Sequence, residues 1–292
     1  MQKKLKENIN NWIMLMPWIL TFAIFWFYPL IYAAYLSMTD YFTLSGESVF
    51  IGFDNYIAIF KDEIFWKALS NTFIFTVGTV PVTTSLALLL ASFLNSKIVK
   101  FKDFFRASYF MPTVSSLVVI SLIFTNLYSK EGYVNSIFAM LNLPFPKLGW
   151  LLEPSTSLLS IMIMDVWTAT GYYMVLILAG MQSIPNDLYE SARLSGANSR
   201  QIFFKITLPL LKPTLLFILV INTIKSFQVF IEIFIMTKGG PLNSTTTLVY
   251  MIFVNAFEKS DKMGYASALA FILFFILIIF SLLQMKLLKE KD

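Results

Sequence analysis

Six apolar runs constrain this chain more than any other feature. They lie at about 12–38, 69–94, 105–128, 157–181, 208–236 and 264–285. Each meets or approaches the roughly 20 residues that a helix needs to cross the hydrocarbon core of a bilayer. In hydrocarbon the backbone amides have only one another as partners, so such runs fold as helices. The expected fold class is therefore an all-α membrane protein, a bundle of six transmembrane helices forming a single domain over residues 1–292. The first and fifth runs contain Pro or polar residues, and their ends are the least sharply drawn.

Charge supports the same reading. Only 13% of residues are charged, where a soluble domain carries about a quarter. Most Lys and Arg residues gather on one side of the six runs: Lys3, Lys4 and Lys6; Lys97, Lys100, Lys102 and Arg106; Arg193, Arg200, Lys205 and Lys212; Lys286, Lys289 and Lys291. Fewer fall on the other side, at Lys61, Lys67, Lys130, Lys147, Lys238, Lys259 and Lys262. That side also holds Asp40, Glu47, Asp54, Asp62 and Glu63. The positive-inside rule then puts both termini in the cytoplasm. The first apolar run is too long for a signal peptide and lacks a small-x-small cleavage site, so it reads as an uncleaved span. The net charge of +5 is spent on topology and forms no groove-binding patch, so nucleic acid is not expected as a partner.

Absent residue types narrow the chemistry. The sequence has no Cys and no His, which removes thiolates, imidazole bases and the usual zinc ligands. No metal or cofactor is expected. No Gly-x-x-x-x-Gly-Lys-Ser/Thr occurs among the 11 glycines, so the chain has no nucleotide cradle of that kind. An enzyme is therefore the least supported class, and a transport pathway the best.

The longest connection rich in signals runs from 183 to 209. Pro185 suits the first turn of a helix and Gly196 the residue just past its end. Asn198, with Gln201 three residues on, resembles a capping box opening a second helix. Leu188, Ala192 and Ser195 share one face, as do Ile202, Phe203 and Ile206. Two short helices with a break between them serve either as a docking element or as an interfacial hairpin joining two spans.

At this loop the sequence resembles the permeases of binding-protein-dependent ABC importers. Their signature is Glu-Ala-Ala, three residues, Gly, nine residues, Ile-x-Leu-Pro. Here it stands as Glu190-Ser191-Ala192, Gly196 and Ile206-Thr207-Leu208-Pro209, departing at Ser191 and at Ser195, where Asp is common. Gly52-Phe53-Asp54-Asn55-Tyr56 resembles the Gly-x-x-Asn-Tyr segment of the sugar-importing members, and Thr237-Lys238-Gly239-Gly240-Pro241 their Thr-x-Gly-Gly-Pro loop. Tyr28-Pro29, Ser37 and Thr39-Asp40 are similar to the maltose-type "first" permease. The resemblance implies a multi-pass subunit in a prokaryotic cytoplasmic membrane. It also implies a second permease subunit, a cytoplasmic ABC ATPase dimer and an extracytoplasmic solute-binding protein as partners. It makes the 183–209 loop a coupling helix, with Glu190, Ser191, Ala192, Leu194, Gly196 and Ala197 at the ATPase contact. The implied cargo is a sugar or oligosaccharide.

Polar residues inside the spans mark the second candidate site. Ionisable groups at membrane depth face a bundle interior or a wet cavity. In the fifth run Asn222, Lys225, Gln228 and Glu232 are spaced to share a helical face. In the fourth, Asp165, Thr168 and Tyr172 do the same, with Trp167 and Tyr173 beside them. They read as a solute pathway with aromatic faces for sugar rings, or else as an ion pair, Lys225 with Glu232 or Asp165, that ties helices together. The alternative class is an ion-coupled secondary transporter using Asp165, Lys225 and Glu232 as relays. Gly171 suits close helix packing, and Pro81 and Pro112 are candidate kinks.

Overall fold

The structure is a computed structural model and describes residues 12, 14–41, 46–96, 98–258 and 262–288. Lys3, Lys4, Lys6, Lys97, Lys259, Lys289 and Lys291, which enter the charge argument, lie outside the described residues. The chain separates into two compact units, residues 1–62 with 252–274 and residues 63–251 with 275–292.

The first unit begins with α1 (Met14–Ser37), a span-length helix with one wide turn at Ala23–Phe27. From Met14 to Tyr35 none of its side chains is buried within the chain, which leaves its Trp, Phe, Leu and Ile side chains free to meet lipid. A two-stranded hairpin follows, β1 (Thr39–Tyr41) against β2 (Ser48–Phe50), antiparallel with Asp40 opposite Val49. The short helix α2 (Asp54–Lys61) secures the end of α1. Asn55 Nδ2 donates to the carbonyls of Ser37 and Thr39 at 3.0 and 2.9 Å, and the Tyr56 hydroxyl donates to Ser37 Oγ at 2.8 Å. The Gly-x-x-Asn-Tyr segment, which begins 15 residues past the end of α1, thus satisfies the Ser37 carbonyl that the helix end leaves open.

The second unit carries α3 (Glu63–Asn95), which runs unbroken through Pro81 and starts before the apolar run does. Next come α4 (Lys102–Val114) and α5 (Leu117–Leu127), which together make the third run. They are bent by 94° at a two-residue break, so the expected single span over 105–128 is two helices. Pro112 lies just before the break, and the Ser115 amide reaches only back to its carbonyl, at 3.3 Å. A proline removes one backbone donor, and Ser115-Ser116 have little helix preference to restore the ladder. After α6 (Tyr133–Met140), α7 (Ser157–Gln182) is the most buried span.

α8 (Asn186–Leu194) and α9 (Ser199–Ile202) form the loop hairpin. The fifth run is α10 (Lys212–Phe227) plus α11 (Ile231–Met236), interrupted at Gln228–Phe230. A single turn residue, Leu211, separates α10 from a short helical piece at Leu208–Leu210, and Pro213 sits in the first turn of α10, where a missing amide costs nothing. α12 (Leu248–Phe253) and α13 (Met263–Leu288) complete the element order. Five helices are long and apolar enough to span a bilayer, and the bent α4–α5 pair brings the number to six among the described residues.

The core of the second unit forms where α7 meets α3 and α10. Ala87 and Ala91, one turn apart on α3, let the backbones approach, and Met174, Ile177, Leu211 and Ile218 fill the space around them. Gly171 serves the same purpose against α4, because a Cβ there would run into the carbonyl of Tyr109.

Candidate functional site

Two irregularities in the spans create the interior site. Regular helix is interrupted at Ser115–Ser116 after α4 and at Gln228–Phe230 after α10. Helix α5 packs against α11, so the halves that follow the two breaks lie together. Irregular backbone at membrane depth is tolerated where it is buried or lines a cavity. Here it does both: Thr247 Oγ1 donates to the Val229 carbonyl at 3.2 Å, and two cavities open at the breaks.

The first cavity, about 360 Å³, is lined by Thr113, Ser115, Leu117, Thr168, Tyr172 and Tyr173 together with Ile221 and Lys225. The second, about 250 Å³, is lined by Asp165, Lys225, Gln228, Phe230 and Glu232 among others. Leu117 and Lys225 border both. Lys225 Nζ donates to Asp165 Oδ1 at 3.1 Å, joining α10 to α7. The Asp165 side chain is 4% exposed and that of Lys225 44%, so the pair is sealed on its acidic side and open on its basic side. Glu232 is buried on α11.

The ion pair that the sequence offered as an alternative to a pathway therefore sits in the cavity wall, and it forms with Asp165. The pathway candidates Asp165, Tyr172, Lys225, Gln228 and Glu232 line a cavity. Asn222 is buried outside both linings. Trp167 is half exposed with its ring 5.5 Å from that of Phe124, also away from the cavities. The single helical face expected for Asn222, Lys225, Gln228 and Glu232 ends at Phe227, where the helix stops. Phe230, at φ −142° and ψ −57°, is not helical, so the regular register is lost before Glu232. Thr113, Ser115, Leu117 and Phe230 were not legible as lining residues; the polar cluster after Pro112 was the available signal for the first two.

The loop after the site is held from α3. Asn71 Nδ2 donates to the carbonyls of Asn243 and Thr246, both at 2.9 Å, and Thr72 Oγ1 accepts the Leu248 amide at 3.0 Å. Within the loop Thr245 Oγ1 donates to the Gly240 carbonyl at 2.7 Å, and Thr246 Oγ1 to that of Gly239 at 3.1 Å. These bonds fold the Thr-x-Gly-Gly-Pro segment back on itself next to the break.

The second site is the α8–α9 hairpin. Pro185 stands one position earlier than expected, as the residue before the first helical turn. Gly196 adopts φ +79°. The Ala197 amide donates to the Ala192 carbonyl and the Gly196 amide to that of Arg193, both at 3.0 Å. This is the paired ending of a Schellman motif, whose left-handed residue is most easily glycine. Asn198 and Gln201 form the expected capping box: each side-chain oxygen accepts the other residue's amide, at 2.9 and 2.8 Å. Thr207 Oγ1, in the wide helical turn Phe203–Thr207 that continues α9, donates to the Tyr189 hydroxyl of α8 at 3.3 Å. Glu190, Arg193 and Tyr189 face a cavity of about 440 Å³ that also touches Ser92 and Asn95 at the end of α3. Helix α8 has no buried residue, and Leu194 is 90% exposed.

Residues 7–289 match the family of binding-protein-dependent transport system inner membrane components. The chain belongs to this family. It is a multi-pass permease component of such a system, and family membership favours that reading over the ion-coupled secondary transporter. The permease is 34% identical over 287 residues to the lactose transport system permease protein LacF of Rhizobium radiobacter, covering 97% of this chain and 95% of that protein. It is also 34% identical to the arabinooligosaccharides transport system permease protein AraP of Bacillus subtilis, covering 93% of this chain and 86% of that one. Among solved structures, a bacterial ABC transporter involved in import of the acidic polysaccharide alginate matches with a TM-score of 0.84 at 24% identity. The match covers 98% of this chain and 97% of that one, and gives the permease its fold.

Proposed function

We propose that this permease forms half of the membrane pathway of an ATP-driven importer for a sugar or oligosaccharide, residues 1–292 acting as one permease domain. Its expected partners are a second permease subunit, a cytoplasmic ABC ATPase dimer and an extracytoplasmic solute-binding protein. The observation that carries the reading is the placement of Asp165, Lys225, Gln228 and Glu232 around cavities at two span breaks. Hydroxyls of Thr113 and Ser115 and the amide of Gln228 suit sugar hydroxyls, and the rings of Tyr172 and Phe230 suit the apolar faces of pyranoses.

The α8–α9 hairpin is the proposed coupling element. Its backbone is fixed by the Schellman ending and the capping box, while its outer surface is free. Glu190 and Ser191 offer polar groups to the ATPase, Leu194 an uncovered apolar side chain, and Ala192, Gly196 and Ala197 a close approach of backbone. The positive charges of Arg193, Arg200, Lys205 and Lys212 support a cytoplasmic location for the hairpin, and with it cytoplasmic termini. The chain offers no nucleotide-binding motif, which supports a subunit that receives work from a separate ATPase.

Affinity purification from native membranes in mild detergent tests this reading. The expected result is co-purification of a second six-span permease and a nucleotide-binding ATPase. Recovery of this chain alone, active by itself, would contradict it.

A further inference from the structure

The charged groups around the two interior cavities are Asp165, Lys225 and Glu232 among the described residues. The one cation is already engaged, with Lys225 Nζ 3.1 Å from Asp165 Oδ1. Asp165 is buried on α7, and its Oδ1 takes up one of the three donors of the Lys225 ammonium. Glu232 lies on α11 in the wall of the same cavity as the pair. A carboxylate or sulfonate on a sugar would reach the remaining donors of Lys225 only by sitting among two acidic side chains. Like charges brought together in a poorly solvated site are strongly disfavoured. The uncharged groups around them, Gln228, Thr113, Ser115 and Tyr172, suit a saccharide that offers hydroxyls and ring faces.

We propose that Asp165 and Glu232 act as a charge filter around Lys225, so that the pathway takes uncharged saccharides and rejects acidic ones. The inference rests on the cavities being the solute pathway. It names residues for discrimination, by a repulsive element built against the wrong ligand.

The test uses the purified importer complex without its solute-binding protein, so that upstream selection plays no part. Binding of maltotriose, arabinotriose and cellotriose is compared with binding of trigalacturonate by equilibrium dialysis. At least one neutral trisaccharide should bind, and about tenfold or more tighter than trigalacturonate at low salt. Asp165→Asn frees Lys225 and should shift the ratio of affinities about tenfold toward trigalacturonate, and added salt should erase that gain. Should Asp165→Asn fail to fold around an unpaired Lys225, Glu232→Gln removes charge with shape retained and should shift the ratio in the same direction, by roughly threefold. Trigalacturonate binding as tightly as the neutral probes in the unmodified complex would overturn the filter and leave the pathway standing. So would an unchanged ratio in a folded Asp165→Asn or Glu232→Gln complex. Absence of binding by all four probes would overturn the pathway reading and the filter with it.

Discussion

Two glycines show how single residues carry this structure, for different physical reasons. At Gly196 nothing lies within 4 Å of where a Cβ would stand, but φ is +79°. Its constraint is therefore backbone strain alone, of roughly 1–2 kcal/mol for a residue with a side chain. Gly196→Ala should loosen the hairpin and reduce solute-stimulated ATPase activity severalfold while the spans stay inserted. Unchanged stimulation would show that the left-handed turn is irrelevant to coupling. At Gly171 the backbone is ordinary helix, and the constraint is the Tyr109 carbonyl against which a Cβ would press. Gly171→Ala should force α4 and α7 apart and destabilise the protein by about 1–3 kcal/mol, read as a lower unfolding temperature in detergent. The sequence made Gly196 legible because helix-ending glycines follow a local pattern. The contact of Gly171 with a residue 62 positions away left no such trace beyond the general rule for small residues. Asp165 and Lys225 were legible as intramembrane charges, whereas the choice of Asp165 over Glu232 as partner depended on where α10 ends.

At the scale of elements, local rules succeeded where local interactions decide the outcome. The capping box at Asn198 and Gln201 was readable from its spacing and occurs as read. Asn198→Ala should remove about 1 kcal/mol of helix stability and speed amide exchange at Gln201 and Ile202. The two broken spans were less legible. Pro112 signalled trouble in the third run, but a 94° bend requires that α5 have a new surface to pack on, and α11 supplies it. The break at Gln228–Phe230 has neither Gly nor Pro; it persists because Thr247 takes up the Val229 carbonyl and Asn71 fixes the following loop. Asn71→Ala would leave the Asn243 and Thr246 carbonyls without that donor, at roughly 1–3 kcal/mol for buried acceptors. It should lower both thermal stability and transport. A variant with normal melting and uptake would show the loop to be held elsewhere.

For the molecule as a whole, hydropathy and charge sufficed to identify a multi-pass membrane protein, because hydrocarbon imposes one rule on every span. The spaced loop motif sufficed to point to a family. The cavities were beyond sequence reasoning, since they arise from two breaks far apart in the chain meeting in space. The proposed role requires that energy come from ATP hydrolysed by another subunit, transmitted through the α8–α9 hairpin. The most direct test places the purified assembly in liposomes with its solute-binding protein and follows uptake of labelled sugar, with ATP inside and then with an ion gradient in its place. The account predicts uptake that needs ATP, the ATPase and the binding protein together, and that is lost when any one is withheld. Uptake driven by the ion gradient alone, by this chain without partners, would contradict it.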